Sequence, residues 1–208
     1  MNQKNSLGLN HCFLDLEDPI KLFGAWMDDA KKSEPNDPNA LSLATSTKDN
    51  FPSVRIVLLK EFNHNGLVFY TNLNSQKGNE LKENPKAAMC FHWKSLLRQI
   101  RINGAVTQVA DDVADKYYNS RSYDSRIGAW ASKQSKKLTS RDQLIDSIKE
   151  YKDKYNDENN VPRPSHWSGW ILSPQSIEFW LDGDSRIHER LKYVKDSSDQ
   201  WIKSLLSP

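Results

Sequence analysis

Apolar residues recur along the chain with two different periods. In "DPIKLFGAWMDDAKKS", Ile20, Phe23, Trp26, Met27 and Ala30 fall on one stripe, which predicts a helix. Asp18 can cap it, and Pro19 suits its first turn. "EPNDPN" stops it. The pattern then changes to short aliphatic and β-branched runs separated by turn residues. "ALSLATST", "PSVRIVLLKEF" and "LVFYTN" read as strands, with turns at "KDNF" and "NHNG". Asn65-Gly66 is a hairpin signal because both residues tolerate positive φ. "SQKGNELKENP" reads as a short helix ended by Pro85. "KAAMCFHWKSL" and "RQIRINGAVTQVA" form a further hairpin. "DDVADKYYNSR" and "LTSRDQLIDSIKEYKDKY" are helical, the second capped by Thr139 or Ser140. "HWSGWILSPQSIEFWLDG", "RIHERLKYVK" and "QWIKSLL" supply three more strands. Residues 1–17 show no period and are expected to form a flexible arm. The expectation for 18–208 is one α+β domain, mainly antiparallel β, with a closed barrel and helices packed around it.

The run "VRIVLLK" raises a question of charge. Ile56, Val57, Leu58 and Leu59 stand unbroken between Arg55 and Lys60, which predicts a strand buried on both faces. A buried cation without a partner is costly. Residues 55 and 60 also differ in parity, so in a regular strand they face opposite sides. Without a bulge, one anion cannot satisfy both.

Composition narrows the function. The chain has 208 residues, 37% hydrophobic and 27% charged, which is enough for a real core. Its net charge of +2 gives no electrostatic argument for nucleic acid. No apolar run approaches the roughly 20 residues of a membrane span, and the N-terminus lacks the pattern of a signal peptide. Cys12 and Cys90 form no metal-spaced pair, so free thiols and a cytoplasmic setting are expected, with no metal site. Seven tryptophans favour core or interface roles, though some would suit a planar ligand.

The chemistry rests on cationic side chains near strand ends. The phosphate-cradling glycine motifs GxGxxG and GxxxxGK[ST] are absent, so phosphate would be held by point charges and forks. Tyr117, Arg121 and Ser125 stand at i, i+4 and i+8. If one helix runs that far they line one face and make a phosphate grip. A solvated helix face with one cation is the plainer reading of that spacing. Arg186, His188 and Arg190 alternate, which puts all three on one face of a strand. That face suits anion recognition, or is an exposed sheet edge.

Taken in order, "RIVLLK", "FYTN", "SQKGNEL", "RQIRINGAV", "YYNSR…SRIGAWASKQS", "WSGW", "IEFW" and "RIHER" resemble the pyridoxamine 5′-phosphate oxidase family over roughly residues 18–203. The resemblance implies an FMN-binding split β-barrel, a homodimer with FMN at the subunit interface. It implies oxidation of pyridoxine or pyridoxamine 5′-phosphate to pyridoxal 5′-phosphate, with O2 as acceptor and H2O2 as product. By the same resemblance, the Arg55, Ile56, Val57, Leu58, Leu59 and Lys60 run contacts FMN. So do Tyr70, Thr71, Gln76, Lys77, Gln99, Gln134, Ser135, Trp180 and Arg190. Lys60, Tyr117, Arg121 and Ser125 would hold the substrate phosphate. Arg186 and His188 would lie over the substrate ring as the catalytic pair, neither being singled out as a base. On this reading Arg55 serves the flavin phosphate and Lys60 the vitamin phosphate. Three departures from the family pattern stand out: Gln76 where an arginine is common, an N-terminal arm without Arg-x-x-Tyr, and Leu205 where the C-terminal end usually has arginine. The competing readings are a split-barrel flavin oxidase acting on a phenazine precursor and a non-catalytic FMN-binding protein.

Overall fold

The computed structural model describes residues 4–208. Nine strands form one antiparallel sheet: β1 (Ala40–Ser46), β2 (Pro52–Leu58), β3 (Glu61–Asn63), β4 (Gly66–Asn72), β5 (Lys86–Trp93), β6 (Arg98–Gln108), β7 (Trp167–Leu181), β8 (Glu189–Lys195) and β9 (Trp201–Leu205). The helices are α1 (Pro19–Ser33), α2 (Gln76–Glu83), α3 (Asp111–Asn119), α4 (Tyr123–Ala131) and α5 (Arg141–Lys154). The strand path is β2-β1-β5-β6-β7-β4-β3, with β8 and β9 continuing from β7. Its two ends, β2 and β3, are consecutive in the chain, so the sheet curls back on itself. Among the described residues no ladder joins β2 to β3 or β4, and the Lys60 amide donates to Val68 O nearby. The barrel is split rather than closed by pairing.

Local signals act as expected at most elements. The Asp18 side chain accepts from the Ile20 amide and caps α1, and Ser75 and Ser140 cap α2 and α5. In the β3–β4 hairpin Asn63 pairs with Gly66, and Gly66 alone takes the positive φ, +146°. Asn65 does not need one. A bulge at Asn103/Gly104 bends β6, where a Cβ on Gly104 would meet Ser173 O at 2.1 Å.

The core fills the curl of the sheet and the space beneath α1. Trp26 packs edge-on against Phe13 and Phe179, and Phe23 against Phe91, with centroids 5.2–5.3 Å apart. Each such ring is almost fully buried, and full burial of a large apolar side chain stabilises by about 1.5–3 kcal/mol.

Three expectations need correction. Residues 4–17 lie against the core: Phe13 is fully buried, Trp26 Nε1 donates to Cys12 O at 2.7 Å, and Lys203 pairs with Asp15 and Glu17. Residues 1–3 of the expected arm lie outside the described residues. Second, β2 is not buried on both faces. It is an edge strand, with Val54 67% and Ile56 65% exposed. Third, "PSVRIVLLKEF" is two strands, broken at Leu59–Lys60. Lys60 therefore lies outside β2, and strand parity does not govern its direction. Among the described residues no helix is long and apolar enough to cross a membrane.

Candidate functional site

A cavity of about 650 Å³ opens between β2, β4, the start of β7 and α3–α4, a size that suits a small ligand or cofactor. One wall is an aromatic stack. The Tyr70 ring lies 4.0 Å from Tyr117 and 5.3 Å from Trp167, all nearly coplanar in orientation. The stack exists because β4 pairs with β7, setting Tyr70 opposite Gly169. A Cβ there would stand 2.7 Å from the Tyr70 ring, so only glycine leaves it room. The Arg121 guanidinium lies over Trp167 at 4.8 Å.

Two sets of donors face this space. On the first, Lys77 Nζ donates to Thr71 Oγ1 and Gln134 Oε1, each at 3.1 Å. Burial, with the nearby Arg55 charge, lowers the Lys77 pKa against the opposing pull of Glu80. On the second, Arg121 stands with Tyr117, Ser125 and Lys60 along the cavity wall. Burial lowers its pKa too, and its Nη1 is buried without a hydrogen-bond partner among the described residues. A guanidinium on a cavity wall, beside a lysine, a phenol and a hydroxyl, suits an anion. Ser125 accepts from Ser122 Oγ at 2.9 Å.

The structure brings Ile56, Val57, Leu58, Lys60, Tyr70, Thr71, Lys77, Tyr117, Arg121, Ser125 and Gln134 onto this one cavity. They do not arrive there as the spacing implied. α3 ends at Asn119 and α4 starts at Tyr123, so Tyr117, Arg121 and Ser125 share no helix face. A turn through Ser120–Ser122 redirects the chain, and buried Tyr118 anchors it by donating to Arg126 O at 3.0 Å. Leu59 turns into the core, and Ser135, with φ of +67°, adjoins Gln134. Asn72, Ser132 and Trp167 line the cavity and were not singled out, although Trp167 belongs to the quoted "WSGW".

Arg55 does not line the cavity. Its guanidinium donates to Thr45 Oγ1, to Ser53 Oγ at 2.5 Å and to Glu80 Oε2 at 3.1 Å. Glu80, also missed in the sequence, is buried and accepts from Thr45, Ser53, Gln76 and Arg55. Burial pushes its carboxyl up, but those hydrogen bonds outweigh it and hold the pKa at about 2. Glu80 stands five residues after the Ser75 cap of α2, and that position carries no sequence signal for a buried carboxylate.

The remaining candidates form a second cluster. Gln99 on β6 pairs with Trp180 on β7, and Trp180 with Arg190 on β8. Arg190 grips Glu178 Oε1 through Nε at 3.0 Å and Nη2 at 2.7 Å. The His188 ring packs 4.6 Å from Trp180. Here the expected strand alternation fails. Arg186 ends a 3₁₀ turn, Asp184–Arg186, and β8 begins only at Glu189. Ser185 and Arg186 take left-handed φ of 55° and 65°. Arg186, His188 and Arg190 therefore do not share one strand face.

The cavity and this cluster have no residue in common. Trp167 and Trp180 stand near opposite ends of the 15-residue β7. At about 3.3 Å per residue, its ends are on the order of 45 Å apart along the contour.

Comparison with known proteins gives a consistent family. Residues 27–155 match the family model described as pyridoxamine 5′-phosphate oxidase. Residues 167–208 match the pyridoxine 5′-phosphate oxidase C-terminal dimerisation region. The chain is 72% identical over 208 residues, the whole of both chains, to pyridoxine/pyridoxamine 5′-phosphate oxidase of Pelagibacter ubique (strain HTCC1062). It is 52% identical to the Brucella anthropi protein of the same name, covering 94% of this chain and 97% of that one. Among solved structures, PhzG from Burkholderia lata 383, in complex with tetrahydrophenazine-1-carboxylic acid, matches with a TM-score of 0.88 and 30% identity, covering 95% of this chain and 96% of that one.

Proposed function

Since the chain belongs to the pyridoxamine 5′-phosphate oxidase family, we propose that it oxidises pyridoxamine and pyridoxine 5′-phosphates to pyridoxal 5′-phosphate, with FMN as cofactor and O2 as acceptor. The observation that carries this reading is the pairing of two cationic grips on one cavity. Lys77 with Thr71 and Gln134 forms one, and Arg121 with Tyr117, Ser125 and Lys60 the other. FMN and the substrate each carry one phosphate, and a phosphate needs several charge-assisted donors to offset its lost hydration. The donor set therefore fits FMN beside a phosphorylated vitamer. When bound, FMN supplies the two-electron acceptor chemistry.

The residues divide the remaining work. Lys77, Thr71 and Gln134 hold the cofactor. Arg121, Tyr117, Ser125 and Lys60 hold the substrate phosphate and so fix where its ring lies. Arg55 supports the cofactor side while shared with Glu80. Gln99, Trp180 and Arg190 contact FMN, and Arg186 and His188 cover the substrate ring. Because these last residues lie at the far end of β7, they come from a second copy, and the site is composite. The active unit is a cytoplasmic homodimer with FMN at its interface, and residues 18–208 act as one domain. The match to a dimerisation region and the exposed apolar edge strand β2, with Val54 and Ile56, support that assembly.

Anaerobic mixing of the FMN-loaded protein with each vitamer tests the activity. Pyridoxamine or pyridoxine 5′-phosphate should bleach the flavin, and air should restore it. Bleaching by a reduced phenazine carboxylate and by neither vitamer would favour the phenazine reading. No bleaching by any of them would leave a non-catalytic flavin binder.

A further inference from the structure

Glu178 on β7 is a buried carboxylate with cations on both sides. Its cross-strand neighbours are Arg101 on β6 and Lys192 on β8. A buried charge is retained only with partners, and Arg190 is the principal one. Arg190 Nε and Nη2 both donate to Glu178 Oε1, at 3.0 and 2.7 Å. Arg101 Nη1 reaches Oε2 at 3.3 Å, but its side chain is 52% exposed, so water screens that contact.

The grip leaves part of Arg190 spare. A guanidinium carries five N–H donors in a rigid fork. Nε and Nη2 give one each to Glu178, and Nη1 gives one to Ser207 O at 2.8 Å. Among the described residues, one N–H on Nη1 and one on Nη2 remain, both off the edge that Glu178 holds. Arg190 also stands opposite Trp180 across the β7–β8 ladder.

We propose that Glu178 is a positioning residue that presets Arg190 for FMN, fixing the guanidinium so that its two spare donors meet an acceptor on the cofactor. The inference rests on the reading of Arg190 as an FMN contact. An unheld arginine samples many rotamers, and ordering it when a ligand arrives costs affinity. Glu178 imposes that order when the sheet forms. It acts through Arg190 and needs no contact with the cofactor itself.

Titration of the apoprotein with FMN, followed by flavin fluorescence, separates this role from a merely structural one. Glu178→Asp keeps the charge but draws it back by one methylene, and should weaken FMN binding by roughly tenfold, the size of one misplaced charge-assisted contact. Glu178→Gln keeps the length and an acceptor oxygen, and should bind FMN close to wild type. In an Arg190→Ala background, Glu178→Asp should cost nothing further, because the group it positions is gone. Wild-type affinity in Glu178→Asp overturns the proposal. So does a loss in Glu178→Gln as large as in Glu178→Asp, which would make charge rather than position the cause. An equal further loss in the Arg190→Ala background overturns it in favour of a structural pair. Wild-type FMN affinity in Arg190→Ala alone would instead overturn the reading of Arg190 as a cofactor contact, whatever Glu178 does.

Discussion

The Arg55 guanidinium donates to the buried Glu80 carboxylate at 3.1 Å, and Gln76 Nε2 donates to the other oxygen of that carboxylate at 2.9 Å. The cation nearest the start of the aliphatic run is thus already engaged by an anion. Any cofactor phosphate must share it, which shifts the weight of anion binding to Lys77.

Lys77→Ala should therefore weaken FMN binding by roughly tenfold or more, since a charge-assisted hydrogen bond is worth about 1.5–3 kcal/mol. Gln76→Arg should tighten it, because a second cation beside Glu80 frees Arg55 for phosphate. Titrating the apoprotein with FMN and following flavin fluorescence gives both constants. If neither changes, the cofactor phosphate lies elsewhere.

Arg121→Ala should raise KM for both phosphorylated substrates while FMN content stays near wild type. The reason is its place on the cavity wall with Tyr117, Ser125 and Lys60, its guanidinium held over Trp167. Loss of flavin with normal KM would assign Arg121 to the cofactor instead.

Glu80 predicts an acid limit. Its folded pKa of about 2 lies below the ordinary 4.5. A carboxylate depressed on folding stabilises the protein above its unfolded pKa, and that contribution is lost as pH falls through the folded one. Glu80→Gln should thus be less stable than wild type at neutral pH, by about 1–3 kcal/mol for the buried donors left wanting. The difference should shrink between pH 4.5 and about 2. Urea unfolding across that range checks it, and a gap that stays constant would count against the ion pair.

Gly169→Ala should damage the site without touching a ligand. The added methyl would press on the Tyr70 ring from 2.7 Å. Overpacking of this kind typically costs about 1–3 kcal/mol, and here it is relieved by pushing Tyr70 out of its stack with Tyr117 and Trp167. The expected result is a lower Tm and weaker ligand binding together. A crystal structure with the stack intact would contradict the mechanism.

Much of this architecture was legible in the residue pattern, and the failures have specific causes. Turns at "KDNF" and "NHNG", the caps at Asp18 and Ser140 and the order of strands depend on local chemistry, which sequence records. "RIVLLK" was misread because an aliphatic strand at an exposed edge looks the same in sequence as one in a core. Tyr117, Arg121 and Ser125 do meet, but through a break at Ser120–Ser122 that no strong helix breaker announces. The alternation of Arg186, His188 and Arg190 was misleading because Ser185 and Arg186 adopt left-handed backbone that usually calls for glycine or asparagine. Glu80 and Trp167 went unremarked because each matters through partners distant in sequence.

Because the cavity and the Trp180–Arg190 cluster sit at opposite ends of β7, damage to them is inherited separately. In a composite dimer, a chain lacking Lys77 still donates a sound C-terminal half, and a chain lacking Arg190 still donates a sound cavity. Two alleles, each defective alone, would then rescue one another when expressed together. Random pairing of equal amounts leaves about a quarter of all sites whole. A monomeric site would show no such complementation.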